Sequence, residues 1–194
     1  MGFTKRHKIT LLDLGGVVFQ STGLSNDKID WSVISTLNHK YGHALNIGED
    51  KFPTFLSEYN ELSKQSLSGA AFLKEVFDTL QINRELIDLV RAESDIVIVS
   101  DNYRENIAYI SQRYNFASWA IEQIYSFDYA MEKANPDFFK RLLRDLDAYH
   151  VEEMIYIDDS AHKLASAAHC GIRGILFESN EQVRAVLRAL GDSK

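Results

Sequence analysis

The stretch Ile9-Thr10-Leu11-Leu12-Asp13-Leu14-Gly15-Gly16-Val17-Val18-Phe19 constrains this chain more than any other. A largely apolar run of strand length drives into an aspartate and breaks on two glycines. A run without polar alternation marks a strand buried on both faces, as in a parallel sheet covered by helices. A carboxylate at the end of such a strand is costly unless it is paired, hydrogen-bonded or bound to a metal. The glycines let the backbone turn sharply and bring its N–H groups close to a ligand. Read alone, the same residues are equally an ordinary strand-end turn.

The rest of the chain repeats the pattern. Ile96-Val97-Ile98-Val99 ends on Ser100-Asp101-Asn102, and Met154-Ile155-Tyr156-Ile157 ends on Asp158-Asp159-Ser160. Between them Lys133 precedes a helix start, with Asn135 as N-cap and Pro136 in the first turn. Its inward face is Phe138, Phe139, Leu142, Leu143 and Leu146. Further helices are predicted over about 103–114, from Ser160 to Cys170 with Gly171 ending it, and over 181–190, with shorter strands at 120–125 and 174–177. Alternating strands and helices predict a parallel sheet with right-handed crossovers. The ligand crevice of such a sheet lies at the carboxyl ends of its strands, where Asp13, Ser100 and Asp158-Asp159 stand.

From about residue 29 to 92 no strand-like run appears. Trp31, Ile34, Leu37 and Tyr41 fall at helical spacing, with Gly42 closing that helix. Phe55, Leu56, Tyr59 and Leu62 form a second apolar face beside Pro53. Ser68 caps a third helix carrying Phe72, Val76, Phe77 and Leu80, and Asn83 a fourth carrying Leu86, Ile87 and Val90. Periodicity alone accounts for these aromatic positions as core rather than substrate pocket.

Asp13, Ser100, Lys133 and Asp158-Asp159, in that order, resemble the motifs of the haloacid dehalogenase (HAD) superfamily, whose members are mostly phosphatases. The resemblance spans about Ile9 to Phe177. It implies an α/β fold, a doubly wound, Rossmann-like parallel sheet with a small helical cap inserted after the first strand. Residues 1–20 and 93–194 would form the core domain and 21–92 the cap. It also implies a Mg²⁺-dependent phosphatase of small phosphorylated metabolites, working through an aspartyl-phosphate. Asp13 is then the nucleophile, with Ser100 and Lys133 as its catalytic partners. Asp13, Asp158, Asp159 and the carbonyl of Gly15 would hold the metal, and Gly16, Asp101 and Asn102 would contribute to binding the substrate. Each residue has a plainer reading. Ser100 or Asn102 could cap the next helix, Lys133 beside Glu132 could be a solvated lysine, and Asp158-Asp159 could be turn residues.

Two departures from the family pattern bear on turnover. Most of its phosphatases carry an acid/base aspartate two positions after the nucleophile, and here Gly15 stands there. Loss of a general acid typically costs ~10²–10⁴-fold in rate, so esters with acidic leaving groups (acyl, aryl, anomeric) are the expected substrates. A sugar-1-phosphate comes first, because Asp13-Leu14-Gly15-Gly16 is similar to the Asp-Leu-Gly-Asn opening of a branch containing such phosphatases. The lysine motif also drifts, with Ala134-Asn135 where Pro-Asp is usual. The alternatives are a metal-independent 2-haloacid dehalogenase and a non-catalytic binding protein.

Composition excludes other classes. A formal charge of −7 over 194 residues argues against nucleic-acid or anionic-membrane partners. No apolar stretch approaches a membrane span, and no secretory leader or lipid-anchor signal is expected at the N-terminus. The single cysteine, Cys170, excludes an intramolecular disulfide and suits a reducing compartment, so a cytoplasmic location is the expectation. His39 and His43 straddle Gly42 without a third ligand and are expected to be exposed. His162 reads equally as a site residue or a helix surface position.

Overall fold

The computed structural model describes residues 8–23, 26–147, 149 and 153–191. In chain order its first half comprises β1 (Ile9–Leu12), β2 (Phe19–Ser21), α1 (Trp31–Asn46), α2 (Phe52–Ser63), α3 (Gly69–Asp78), β3 (Leu80–Ile82) and α4 (Arg84–Arg91). The second half comprises β4 (Asp95–Ser100), α5 (Arg104–Arg113), β5 (Glu122–Tyr125), α6 (Ser126–Tyr129), α7 (Pro136–Asp145), β6 (Met154–Asp158), α8 (Ala161–Ala168), β7 (Arg173–Leu176) and α9 (Asn180–Gly191).

Five strands form one parallel sheet in the order β5-β4-β1-β6-β7. From β1 the chain winds outward through β4 and β5, then returns to the other side for β6 and β7. The winding therefore reverses between β1 and β6, the position where doubly wound sheets open their crevice. Leu12 pairs with Ile98 on one side and Ile157 on the other, so Asp13 emerges one residue beyond, beside Asp158. The continuous apolar runs are explained by burial on both faces. Leu12, Ile98 and Ile157 pack with Val90 of α4, Ile107 and Ile110 of α5 and Val183 of α9. Leu11, Val97, Val99 and Tyr156 face the other way, into Phe138, Phe139 and Leu142 of α7 and Ala167 of α8.

The cap inserted after β1 holds α1, α2 and α3 around an aromatic centre. Tyr59 and Phe72 meet edge to face with centroids 4.8 Å apart, and Phe55 and Phe72 do so at 5.8 Å. Phe55 also meets Tyr103 beyond β4 at 6.3 Å, so the cap rests on the rim of the crevice. Ser68 and Asn83 cap α3 and α4 as expected, accepting from the N–H groups of Ala71 at 3.2 Å and Leu86 at 3.1 Å.

Several local expectations are corrected. Gly42 does not end α1 but lies buried inside it. The helix stops at Asn46, just before Gly48 turns with φ of +90°. Trp31 and Leu62, read as inward, are 44% and 55% exposed. Leu80 belongs to no helix, since Leu80–Ile82 pairs antiparallel with Phe19–Ser21. The fourth expected helix of the insertion, α4, packs on the sheet against β4 and α9 rather than over the crevice. Its apolar face of Leu86, Ile87 and Val90 is buried there, and Asn83 Nδ2 donates to Asn180 Oδ1 at 2.8 Å. Among the described residues no helix is long and apolar enough to cross a membrane.

Candidate active site

Asp13, Ser100 and Asp158 arrive at one place because β1, β4 and β6 are adjacent and end together. The Asp13 N–H donates to the Ile157 carbonyl at 3.1 Å, which extends the ladder by one rung and fixes the aspartate beside β6. The loop then folds back on itself. Gly16 N–H donates to the Phe19 carbonyl at 2.9 Å and Phe19 N–H to the Leu14 carbonyl at 2.7 Å, while Leu14, Val17 and Val18 are buried beneath.

Lys133 is the hub. It lies in the loop before α7, is 0% exposed, and uses its three ammonium protons on three acceptors. These are Asp13 Oδ1 at 2.5 Å, Asp158 Oδ2 at 2.8 Å and the Val99 carbonyl at 3.1 Å. Its backbone N–H donates to Asp101 Oδ1 at 2.9 Å, and Asp101 Oδ2 also meets Lys163 Nζ at 3.3 Å. The plainer reading of Lys133 as a solvated lysine is thereby set aside.

Ser100 is buried at the end of β4, its Oγ directed at the Asp101 carbonyl over a long 3.4 Å. Neither it nor Asn102 is the cap of α5. That position is Tyr103, whose side chain makes no capping bond. Asn102 Oδ1 accepts instead from Tyr103 N–H and Asn106 Nδ2, each at 2.9 Å, and the Asn102 N–H donates to Ser126 Oγ at 3.2 Å. Three contributors escaped the sequence reading: Ser126, Lys163 and Tyr156. The Tyr156 hydroxyl donates to Asp158 Oδ2. The i, i+2 spacing of Tyr156 and Asp158 on one strand face was the available signal.

Burial dominates the electrostatics. It pushes the Asp13 carboxyl up to about 6, against the pull of Lys133 and with the help of the neighbouring Asp158 charge. Burial works against the Asp158 charge too, but there Lys133 prevails and holds the carboxyl below its usual range. Burial and Asp158 together raise Asp159. One ammonium thus serves two buried carboxylates with a third acid alongside, an excess of negative charge that would repel a phosphate dianion. Carboxylate oxygens of Asp13, Asp158 and Asp159 lie within 4.8 Å of one another. An all-oxygen donor set with surplus negative charge fits a hard divalent cation such as Mg²⁺.

Gly16 makes room for that cluster. Its φ is +73°, and a Cβ there would stand 2.1 Å from Asp159 Oδ2 and 2.9 Å from Asp159 Cγ. Gly16→Ala is expected to cost about 1–2 kcal/mol through the left-handed backbone alone and to turn the Asp159 carboxylate away. Urea unfolding of the variant beside the parent measures the first effect. An unchanged midpoint would show that the loop relaxes to another conformation.

Gly15 differs, since its φ is ordinary and a Cβ there would meet nothing within 4 Å. It opens onto a cavity of about 340 Å³ between the loop and the cap. Phe55, Phe72 and Phe77 belong to the cap core, as expected, and also line this cavity, which periodicity did not suggest. A cavity of about 360 Å³ at the opposite edge of the sheet, touching Thr10 and Met154 at the amino ends of their strands, lies away from these carboxylates. His39 is exposed and bonded to the Ser35 carbonyl at 2.8 Å, and His162 is exposed on α8. The exposed His43 and its neighbour Asn46 both reach Glu132 at 2.8 Å, tying α1 to the residue before Lys133.

The family model described as haloacid dehalogenase-like hydrolase matches residues 21–177. The chain belongs to that family. The match begins after Asp13, so the first motif of this HAD hydrolase stands on the geometry above. Among solved structures, a HAD family enzyme from Bacteroides thetaiotaomicron aligns with a TM-score of 0.70 at 17% identity, covering 90% of this chain and 95% of that one. The same enzyme in complex with magnesium and inorganic phosphate aligns at 0.67 and 18% identity, covering 89% and 94%. A 2-haloacid dehalogenase from Pseudomonas syringae aligns at 0.51 and 14% identity, covering 88% and 86%. These likenesses establish the shared fold of the HAD hydrolases. No curated protein matches the chain.

Proposed function

We propose that this HAD hydrolase is a Mg²⁺-dependent phosphatase of small phosphorylated metabolites, acting through a phosphoryl group carried on Asp13. The observation that carries the reading is the buried Asp13–Lys133–Asp158 constellation, with Asp159 close enough to share a cation. Asp13 is buried, and its carboxylate is held in one orientation by Lys133. It attacks phosphorus, and water later splits the acyl phosphate, so one difficult displacement becomes two easier ones. Lys133 neutralises charge on the transferring group while keeping Asp13 in line. Ser100 exchanges its long contact for a phosphate oxygen, and the N–H groups near Gly16 and Asp101 supply further donors. Asp158 and Asp159, with the Gly15 carbonyl, would hold the Mg²⁺. When bound, that ion supplies the positive charge that the site lacks for a phosphate dianion.

The acidic cluster of Asp13, Asp158 and Asp159 favours this reading over dehalogenase chemistry, which needs no metal. A sugar-1-phosphate, suggested by the Asp13-Leu14-Gly15 opening, belongs in the assay panel as one member of the activated set. A cytoplasmic setting, where such esters occur, accords with this reading.

The test is phosphate release from a panel of phosphomonoesters with and without Mg²⁺. Chelation by EDTA is expected to lower turnover at least ~100-fold, as befits loss of several kcal/mol of charge stabilisation, with saturable recovery on adding Mg²⁺. Calorimetric Mg²⁺ binding should vanish in Asp158→Ala. Undiminished activity in EDTA, or halide release from chloroacetate in place of phosphate release, would overturn the assignment.

A further inference from the structure

We propose that the substrate is an aryl phosphate, its leaving group an uncharged aromatic alcohol seated in the cavity between the nucleophile loop and the cap. This rests on the phosphatase reading and names what that site receives.

The cavity begins on the loop that follows the nucleophile. Gly15 and Gly16, two and three residues beyond Asp13, form part of its wall. Much of the remaining wall is aromatic: Phe19, Trp31, Phe55, Phe72, Phe77 and Tyr103. The uncharged polar side chains facing it include Ser21, Asn38, Asn102 and Asn106, and among the described residues the lining holds no charged side chain. A charged leaving group would lose its hydration there without an ionic partner, and a sugar would find few partners for its several hydroxyls. An aromatic ring meets the wall edge to face or offset, the geometries that such surfaces favour. At about 340 Å³ the space is ample, since a cavity of about 150 Å³ already admits benzene.

The chemistry at Gly15 independently favours acidic leaving groups, a set that includes aryl alcohols. The position offers open space and no acid. The phenol in the lining, Tyr103, donates its proton to Asn38 Oδ1, and burial pushes it up to about 12. Among the described residues no carboxyl or imidazole lines the cavity. On this arrangement the leaving oxygen departs without a proton from the cavity wall. As the Asp13 oxygen–phosphorus bond forms, the ester oxygen–phosphorus bond breaks, and both its electrons leave with the oxygen. That oxygen then takes a proton from water. A second water splits the phosphoryl-Asp13 bond, releasing inorganic phosphate and restoring the carboxylate. A phenolate, whose conjugate acid lies near a pKa of about 10, departs far more readily than an aliphatic alkoxide, with its acid at roughly 16.

The experiment uses the full chain with Mg²⁺ and compares phenyl phosphate, 4-nitrophenyl phosphate, acetyl phosphate, glucose 1-phosphate and glycerol 2-phosphate. Acetyl phosphate is activated but carries no ring, so it separates acidity from recognition. Phenyl phosphate is expected to exceed glucose 1-phosphate and glycerol 2-phosphate in kcat/KM by at least about 100-fold, a span set by the missing acid. Its KM should lie well below that of acetyl phosphate. Trp31 is partly exposed, and Trp31→Ala should raise KM for phenyl phosphate about tenfold more than for acetyl phosphate. Gly15→Asp, whose Cβ would meet nothing within 4 Å, should flatten the dependence on leaving-group acidity by rescuing glycerol 2-phosphate most. Glucose 1-phosphate turned over as well as phenyl phosphate, or equal KM values for phenyl and acetyl phosphate, would refute the aryl assignment and leave the phosphatase standing. No phosphate release from any of the five would refute both.

Discussion

Asp13→Asn is expected to abolish phosphate release while leaving the protein folded. The substitution keeps the shape at the end of β1 and removes the charge that attacks phosphorus. Loss of a covalent nucleophile costs on the order of 10⁴–10⁶-fold in turnover, the largest effect anticipated for any single change here. Folding survives because Lys133 retains Asp158 Oδ2 and the Val99 carbonyl as acceptors, and because the Asp13 N–H bond to Ile157 is a backbone bond. Circular dichroism should therefore match the parent. Fluoroberyllate, which mimics a phosphoryl group on aspartate, should be retained by the parent and not by the variant. Turnover within tenfold of the parent would exclude covalent chemistry at Asp13.

Lys133→Met should behave in the opposite sense, as a failure of stability before a failure of rate. The side chain is fully buried, and its removal leaves Asp13 and Asp158 facing each other without a cation between them. Breaking a buried ion pair by deleting one partner costs about 3–5 kcal/mol, a large part of the margin by which a domain stays folded. The double variant Asp13→Asn/Lys133→Met removes one of the stranded charges and should recover part of that loss, a coupling that only groups in contact display. Chemical denaturation of the parent, both single variants and the double completes the cycle. Additive losses would mean that the lysine and aspartate do not share the energy their geometry implies. Added Mg²⁺ should stabilise Lys133→Met more than the parent, since it would replace part of the missing charge.

The strand-end acids were legible because each follows a run too continuously apolar to be anything but a buried strand. Asp13, Ser100 and Asp158 could thus be placed in one crevice from the sequence. Lys133 was legible only through its place in the series of motifs. Its two carboxylate partners lie 120 and 25 positions away, and nothing local distinguishes it from a surface lysine. Tyr156 was hidden for the converse reason, since in a strand buried on both faces no alternation sets one residue apart. Leu80-Gln81-Ile82 is too short to express a period, and its antiparallel partners in Phe19–Ser21 lie about 60 positions away. The cap aromatics repeat at helical spacing because they pack together, and that spacing says nothing of which edges also face a cavity. Gly42 read as a terminator because glycine favours helix ends, yet packing of α1 on α2 carried the helix through it.

The pairing of β2 with β3 determines how the cap is carried. The chain leaves the sheet layer through Phe19–Ser21 and comes back through Leu80–Ile82, and these stretches are hydrogen-bonded to each other. A helical lobe on two separate tethers could pivot about either; one on a two-stranded ribbon has a single stalk, whose twist and bend set its motion. The ends of the lobe are adjacent at the base of that stalk, and the cost of closing the intervening chain grows only slowly with its length. A lobe of different size and lining could then be exchanged on the same stalk without disturbing the five strands below, which makes the lining of the cavity and the acids of the sheet separable inheritances.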